Sequence, residues 1–219
     1  MHYNFKKRIE VYLLSGWEKF NSYAIWMLKV AYVNLLWIGF TIAGLGVFGL
    51  FPATGAMFVI VQKWLRDEPV DRIFHSFWKT FRKEFISLNK FGLFFILIGY
   101  VLVYDFLFVY QNVDKLKLLF PVLLFLAICY LVALLYFFPV YTQFEMKFFQ
   151  YIKQSFLIGA SSLLETILML TACMLLGIII NLIPGIIPLF TGSVLAVAIT
   201  YCSNRSIVKI KNKKKSMVF

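Results

Sequence analysis

Six apolar runs of about 20 residues, the length that crosses a hydrocarbon core of about 30 Å, constrain this chain more than any other feature. They lie at roughly 24–43, 47–65, 91–110, 118–141, 159–182 and 185–203. Inside lipid the backbone must satisfy its own hydrogen bonds, so each run reads as a helix. Composition agrees: hydrophobic residues make up 62% of the chain and charged residues 15%, against roughly 45–50% and about 25% in soluble domains. A soluble protein of this size could not keep so much apolar surface from water. The expected fold is an all-α integral membrane protein, with about six transmembrane helices in three hairpins plus an amphipathic cytoplasmic interfacial helix. It forms one membrane domain over 1–219. Its parts are an N-terminal interfacial helix (1–23), a first hairpin (24–65), the amphipathic helix (66–90), a second hairpin (91–141), a third hairpin (159–203) and a basic tail (204–219).

The turns and the charges set the topology. Gly44-Leu45-Gly46 separates the first two runs by a tight reversal, and Asn181 with Pro184-Gly185 marks the last. A re-entrant first pair, leaving five or fewer full crossings, is the alternative. Lys and Arg collect before the first run, in 66–90, in 142–158 and in the tail, while the 44–46 and 183–184 turns carry none. The 111–117 loop carries Lys115 and Lys117. That alternation places both termini in the cytoplasm. The net charge of +12 therefore points to the anionic inner leaflet of the bilayer and not to nucleic acid, because the cations sit at the ends of apolar runs. The N-terminal segment has Phe5, Ile9, Tyr12, Leu13 and Phe20 at near-helical spacing, which suits an interfacial helix. It lacks a signal-peptide cleavage pattern, so the first run is expected to be retained.

The stretch 66–90 carries the clearest local pattern. Asp67, Glu68, Pro69 and Asp71 suit a helix start. Ile73, Phe74, Phe77, Trp78, Phe81 and Phe85 then fall within an arc of roughly 140° at 100° per residue. His75, Ser76, Lys79, Arg82 and Lys83 lie on the other side. Such a helix can rest on the inner leaflet or dock a partner. Phe74, Phe77, Trp78, Lys79, Phe81, Arg82 and Lys83 are its candidate contact residues.

Charges within apolar runs are functional candidates. Asp105 lies near the outer end of the third run, beside Tyr104, Tyr110, Lys115 and Lys117, where a ligand pocket or an interfacial ion pair would place it. Glu165 lies near the inner end of the fifth run, as an ion pair with a cytoplasmic cation or as a proton site. Lys29 is close enough to the inner surface to snorkel. His2 and His75 are the chain's two histidines, and neither sits in a G-x-S-x-G, H-E-x-x-H or G-x-x-x-x-G-K-[ST] context. Cys129, Cys173 and Cys202 lie in apolar runs without a CxxC pair. No enzyme, cofactor or metal site is expected.

Asn34-Leu35-Leu36-Trp37, the run Gly44-Leu45-Gly46-Val47-Phe48-Gly49-Leu50-Phe51-Pro52-Ala53-Thr54 and Val61-Gln62-Lys63-Trp64-Leu65-Arg66 resemble the YesL family. So do Phe77-Trp78-Lys79-Thr80-Phe81-Arg82-Lys83-Glu84-Phe85 and Asn89, with Gly55 a minor departure. The resemblance implies a domain of unknown function in the plasma membrane of a Gram-positive, Bacillus-like bacterium. It also implies a setting of complex-carbohydrate uptake, near sugar importers of the ABC class. It carries no activity or catalytic residue. The chain itself does not read as such an importer's permease: Glu145-Met146-Lys147 lacks the E-A-A-x3-G-x9-I-x-L-P pattern that seats an ATPase. Three roles follow as expectations. They are an accessory component of a carbohydrate ABC importer, contacting its permease or ATPase; an independent small transporter or channel; and a membrane sensor or regulator of sugar utilisation.

Overall fold

The computed structural model describes residues 2–70, 72–112, 116–183, 185 and 187–216, with the side chains of 2–16, 187–188 and 213–216 outside that description. The helices are α1 (His2–Ala43), α2 (Val47–Leu65), α3 (Ile73–Gln111), α4 (Phe120–Gln143), α5 (Phe148–Ser161), α6 (Leu163–Leu182) and α7 (Ile187–Ser216). A 3-10 turn, Lys117–Leu119, precedes α4. Among the described residues there is no strand, and five helical stretches are long and apolar enough to cross a membrane: Trp17–Ala43, Val47–Leu65, Ile73–Gln111, Lys117–Gln143 and Leu163–Leu182.

Both ends of the first connection pair close by the same device. Leu45 N–H donates to Ile42 O at 3.0 Å and Gly46 N–H to Thr41 O at 2.8 Å. Leu45 takes φ 62 and Gly46 φ 72. This is the paired closure that satisfies the last carbonyls of a helix, with leucine in the left-handed position that glycine usually fills. Gly44 serves differently from the expected turn glycine. A Cβ on it would collide with Gly49 Cα, and one on Gly49 would collide with Thr41 O, so these two glycines let α1 and α2 touch backbone to backbone. At the far end of α2, Asp67 N–H donates to Trp64 O at 3.2 Å and Glu68 N–H to Lys63 O at 2.9 Å, with Asp67 at φ 54. Asp67 and Glu68 thus close α2 and do not open α3, whose first turn holds no acid. Asp71 lies outside the described residues.

α2 is the pillar of the fold. Ala53, Ala56, Ile60 and Val61 are fully buried, and the core continues through Phe77, Leu88, Tyr136, Phe137 and Val140. A Cβ on Gly55 would meet Leu88 Cδ1, and one on Gly92 would come within 2.9 Å of the Phe51 ring, so the two pairs set α2 and α3 antiparallel. Leu88 occupies the space above Gly55, so a larger residue there would overfill the core. In that register Val47 falls opposite about residue 96, so the remaining 15 or so residues of α3 run roughly 22 Å past the α1–α2 turn. α4 accompanies them: Phe106 and Phe120 pair at 5.8 Å, Phe95 and Tyr130 at 6.0 Å, and Phe91 and Phe137 at 4.8 Å.

Several expected boundaries give way. The 1–23 segment and the first run are one helix, α1, and the faces of Phe5, Ile9, Tyr12 and Leu13 lie outside the described residues. The 66–90 segment is not a separate surface helix. Its residues from Ile73 on are the first half of α3, which continues through Asn89 and Lys90 without a break, and Phe77 and Phe81 of its aromatic stripe are buried in the core. The 142–158 loop is largely α5, which packs back along α4 and stacks Phe148 on Phe91 of α3 at 4.3 Å. The fifth run starts at Leu163, after a backbone break at Ser162. The sixth, 185–203, overlaps the first part of α7, whose side chains are described from Leu189 onward. Pro184, at the expected last turn, lies outside the described residues.

Candidate functional site

The antiparallel register of α2 and α3 assembles a polar site that no local pattern reveals. Carried two turns on from the Gly55–Leu88 contact, it brings Lys63 opposite about residue 80, between Lys79 and Lys83. These three lysines stand around a cavity of about 540 Å3 whose wall includes Glu84, Tyr141 and Tyr151. The wall is held by hydrogen bonds. Tyr141 donates its hydroxyl to Glu84 Oε2 at 2.6 Å, and Lys83 Nζ lies 3.4 Å from Glu84 Oε1. Tyr151 donates to Phe144 O at 2.8 Å and accepts from Met146 N–H at 3.1 Å, which fixes the α4–α5 connection as one lip. Gln143 donates to Asn204 Oδ1 at 2.9 Å and ties the same corner to α7.

The seven candidate contact residues of α3 separate into three groups. Phe77 and Phe81 are core residues, at 0% and 7% exposure, so they meet neither lipid headgroups nor a partner. Phe74 and Trp78 stay outward, at 53% and 43%, and Arg82 is exposed on the same outer side. Lys79 and Lys83 turn to the cavity. The sequence pattern found the amphipathic helix; it could not separate the buried half of the aromatic stripe from the exposed half, because that depends on where α2 lies.

Asp105 is half-buried on the rim of an apolar groove of about 500 Å3 between α3, α4 and α5, with Tyr130, Cys129 and Phe156 in its wall. Among the described residues it forms no ion pair, with Lys117 or otherwise; Lys115 lies outside them. Tyr104 and Tyr110 are exposed and do not close a pocket over it. Glu165 sits in the first turn of α6 with its side chain 8% exposed. Its Oε1 lies 3.9 Å from Lys209 Nζ on α7, and its Oε2 is buried without a hydrogen-bond partner. Beside it, Tyr136 and Thr166 share a hydrogen bond of 3.0 Å, and Ser206 Oγ lies 3.4 Å from the Tyr136 hydroxyl. Glu165 thus lies beside a lysine of the C-terminal helix. Asp105 and Glu165 belong to different helix groups and do not share a site. Lys29 is exposed. Among the described residues no group of three or more His, Cys, Asp or Glu is close enough to hold a metal ion.

Comparison with known proteins places these features in a family. The profile of a protein of unknown function, DUF624, matches residues 30–106, which span α2 and nearly all of α3. "Uncharacterized protein YteU" of Bacillus subtilis strain 168 is 32% identical over 185 residues, 84% of this chain and 82% of that protein. "Uncharacterized protein YesL" of the same organism is 31% identical over 183 residues, covering 84% and 87%. "Uncharacterized protein YesV" is 30% identical over 184 residues, covering 84% and 88%. No solved structure matches. The matched stretch contains Lys63, Lys79, Lys83 and the α2–α3 contact that brings them together, and the chain belongs to the DUF624 family, the family of YesL that its motifs resemble.

Proposed function

We propose that this protein is a non-enzymatic, multi-pass component of a bacterial plasma membrane, working beside a carbohydrate importer and holding that partner on the outer flank of α3. The importer setting comes from what the YesL resemblance implies. The observation that supports docking is the division of the aromatic stripe: Phe77 and Phe81 are spent on the core, while Phe74 and Trp78 remain exposed next to Arg82. Exposed aromatic residues with an arginine are the residue types that dominate binding interfaces. They stand on a helix of 39 residues, so a partner bound at one half is rigidly coupled to the half that runs among lipids. The basic residues of α3 and α7 support reading this end of the bundle, with both termini, as the side that faces the anionic cytoplasmic leaflet.

The test is gentle detergent extraction of tagged protein from native membranes of cells grown on plant polysaccharide, with partners identified by mass spectrometry. Recovery of a sugar permease and its ATPase, lost in Phe74→Ala/Trp78→Ala and kept in Tyr104→Ala, is the expected result. Absence of importer components alongside intact protein would sink the proposal. An independent transporter is the second reading. It is favoured by the buried Glu165 carboxylate, whose Oε1 lies 3.9 Å from Lys209 Nζ and whose Oε2 has no hydrogen-bond partner, since ionisable groups within spans mark ion and proton pathways. Unchanged uptake in Glu165→Gln cells would remove its support.

A further inference from the structure

Lys63 closes the last turn of α2, and Lys79 and Lys83 follow each other by one turn on α3, all three on the wall of the same cavity. Their charges are not equally engaged. The Glu84 carboxylate already takes the Tyr141 hydroxyl at 2.6 Å and the Lys83 ammonium at 3.4 Å. Lys63 and Lys79 form no ion pair among the described residues. Glu145 is on the rim and exposed, and it opposes an anion there. Two lysines without an ion pair therefore line a shared volume of about 540 Å3, together with the hydroxyl-bearing residues Ser76 and Thr142.

We propose that this cavity binds a phosphate group. A phosphate presents up to two negative charges and several acceptor oxygens, so it can be shared among ammonium and hydroxyl donors that approach from two helices. A neutral sugar would add no charge to a wall whose three lysines outnumber Glu84 and Glu145, and a single carboxylate would bring fewer acceptor oxygens than a phosphate. The phosphate can be carried by an anionic phospholipid of the surrounding bilayer or by a soluble phosphorylated molecule; the chemistry of recognition is the same. This inference does not rest on the importer reading, since it concerns the opposite flank of α3 from Phe74 and Trp78.

The experiment uses the full chain purified in a neutral detergent. Its unfolding midpoint is followed against inorganic phosphate, with chloride at matched ionic strength as the reference. A parallel series uses phosphatidylglycerol in mixed micelles, with phosphatidylcholine as the reference. Stabilisation by inorganic phosphate supports a site for soluble phosphates, and stabilisation by phosphatidylglycerol alone supports a headgroup site. In whichever series responds, Lys63→Gln and Lys79→Gln should each weaken apparent binding about fivefold, the effect of roughly 1 kcal/mol per cation. Glu145→Gln should tighten it. Lys153→Gln, which removes an exposed cation of α5 outside the cavity wall, should leave it unchanged. No response in either series would overturn the proposal. Equal weakening by Lys153→Gln would overturn it as well, because it would show an effect of net charge and not of a site.

Discussion

α2 and the far half of the α3–α4 hairpin are both apolar helical stretches, and the protein uses them in opposite ways. The most apolar 18 residues of α2 have the lower mean hydropathy, 1.3 against 2.3 for those of α3 and 2.9 for those of the stretch that holds α4, yet 56% of them are buried against protein and 17% of the others are. Between Leu97 and Leu131 the buried residues among those described are Val109 and Leu123. Hydrophobicity therefore does not predict which helix is central. What marks α2 is small residues and groups that need protein partners: Gly49, Ala53, Gly55 and Ala56 allow close approach, Thr54 takes a hydrogen bond from Trp37 Nε1 at 3.0 Å, and Pro52 sits buried inside the unbroken helix. In membranes, where lipid tails are as apolar as leucine, helices associate through such small residues and polar contacts, and long aliphatic and aromatic residues are left to the lipid.

If that contrast is right, substitutions around α2 should be severe and those on the distal hairpin mild. The largest loss is expected for Phe77→Ala, a fully buried ring, at about 3–5 kcal/mol of stability. Phe74→Ala, one turn away and exposed, should lose less than about 1 kcal/mol. Thermal unfolding of the purified pair in detergent checks this, and equal losses would break the division of the aromatic stripe. Gly49→Ala comes next, at about 3 kcal/mol, because its Cβ meets the α1 backbone and no side chain can move aside. Gly177→Ala, with nothing within 4 Å, is the matched control and should be neutral or slightly stabilising. Tyr141→Phe should cost about 1.5–3 kcal/mol through the lost hydrogen bond to the Glu84 carboxylate, visible as a lower unfolding midpoint. Tyr104→Ala on the distal hairpin should change stability by no more than about 0.5 kcal/mol. A tryptophan placed at 104 should instead be quenched by brominated lipid.

The sequence made some of this legible and hid the rest for physical reasons. Apolar run length revealed the helices, and the glycine-rich 44–49 stretch revealed the reversal, although its left-handed residues proved to be Leu45 and Gly46 while Gly44 and Gly49 supply close contact. The continuity of α3 was hidden because Asn89 and Lys90 read as the boundary between a surface helix and a span. Asn89 instead donates its side-chain amide to Phe85 O at 2.8 Å within an unbroken helix. α5 was missed because Lys147 and Lys153 suggested a loop, although Phe148, Tyr151, Ile152, Ser155 and Phe156 recur at helical spacing and could have shown it. The lysine cavity had no sequence signal of its own. Lys63 and Lys79 are brought together by the packing of two helices whose register depends on Gly55 and Gly92. The pairing of Glu165 with Lys209 was foreseen in kind but not in partner, since nothing along the chain orders α6 against α7.

The account turns on α3 being one straight helix that joins a basic half packed along α2 to an apolar half that stands clear of the core. Spin labels at His75→Cys and Phe108→Cys, in a background with Cys129, Cys173 and Cys202 replaced, report this as a single distance in lipid nanodiscs. An unbroken helix predicts about 50 Å between the two backbone positions at 1.5 Å per residue. A helix lying on the membrane surface and turning at right angles near Lys90 into a span would give about 35 Å by the same rise, and that distance would contradict the account.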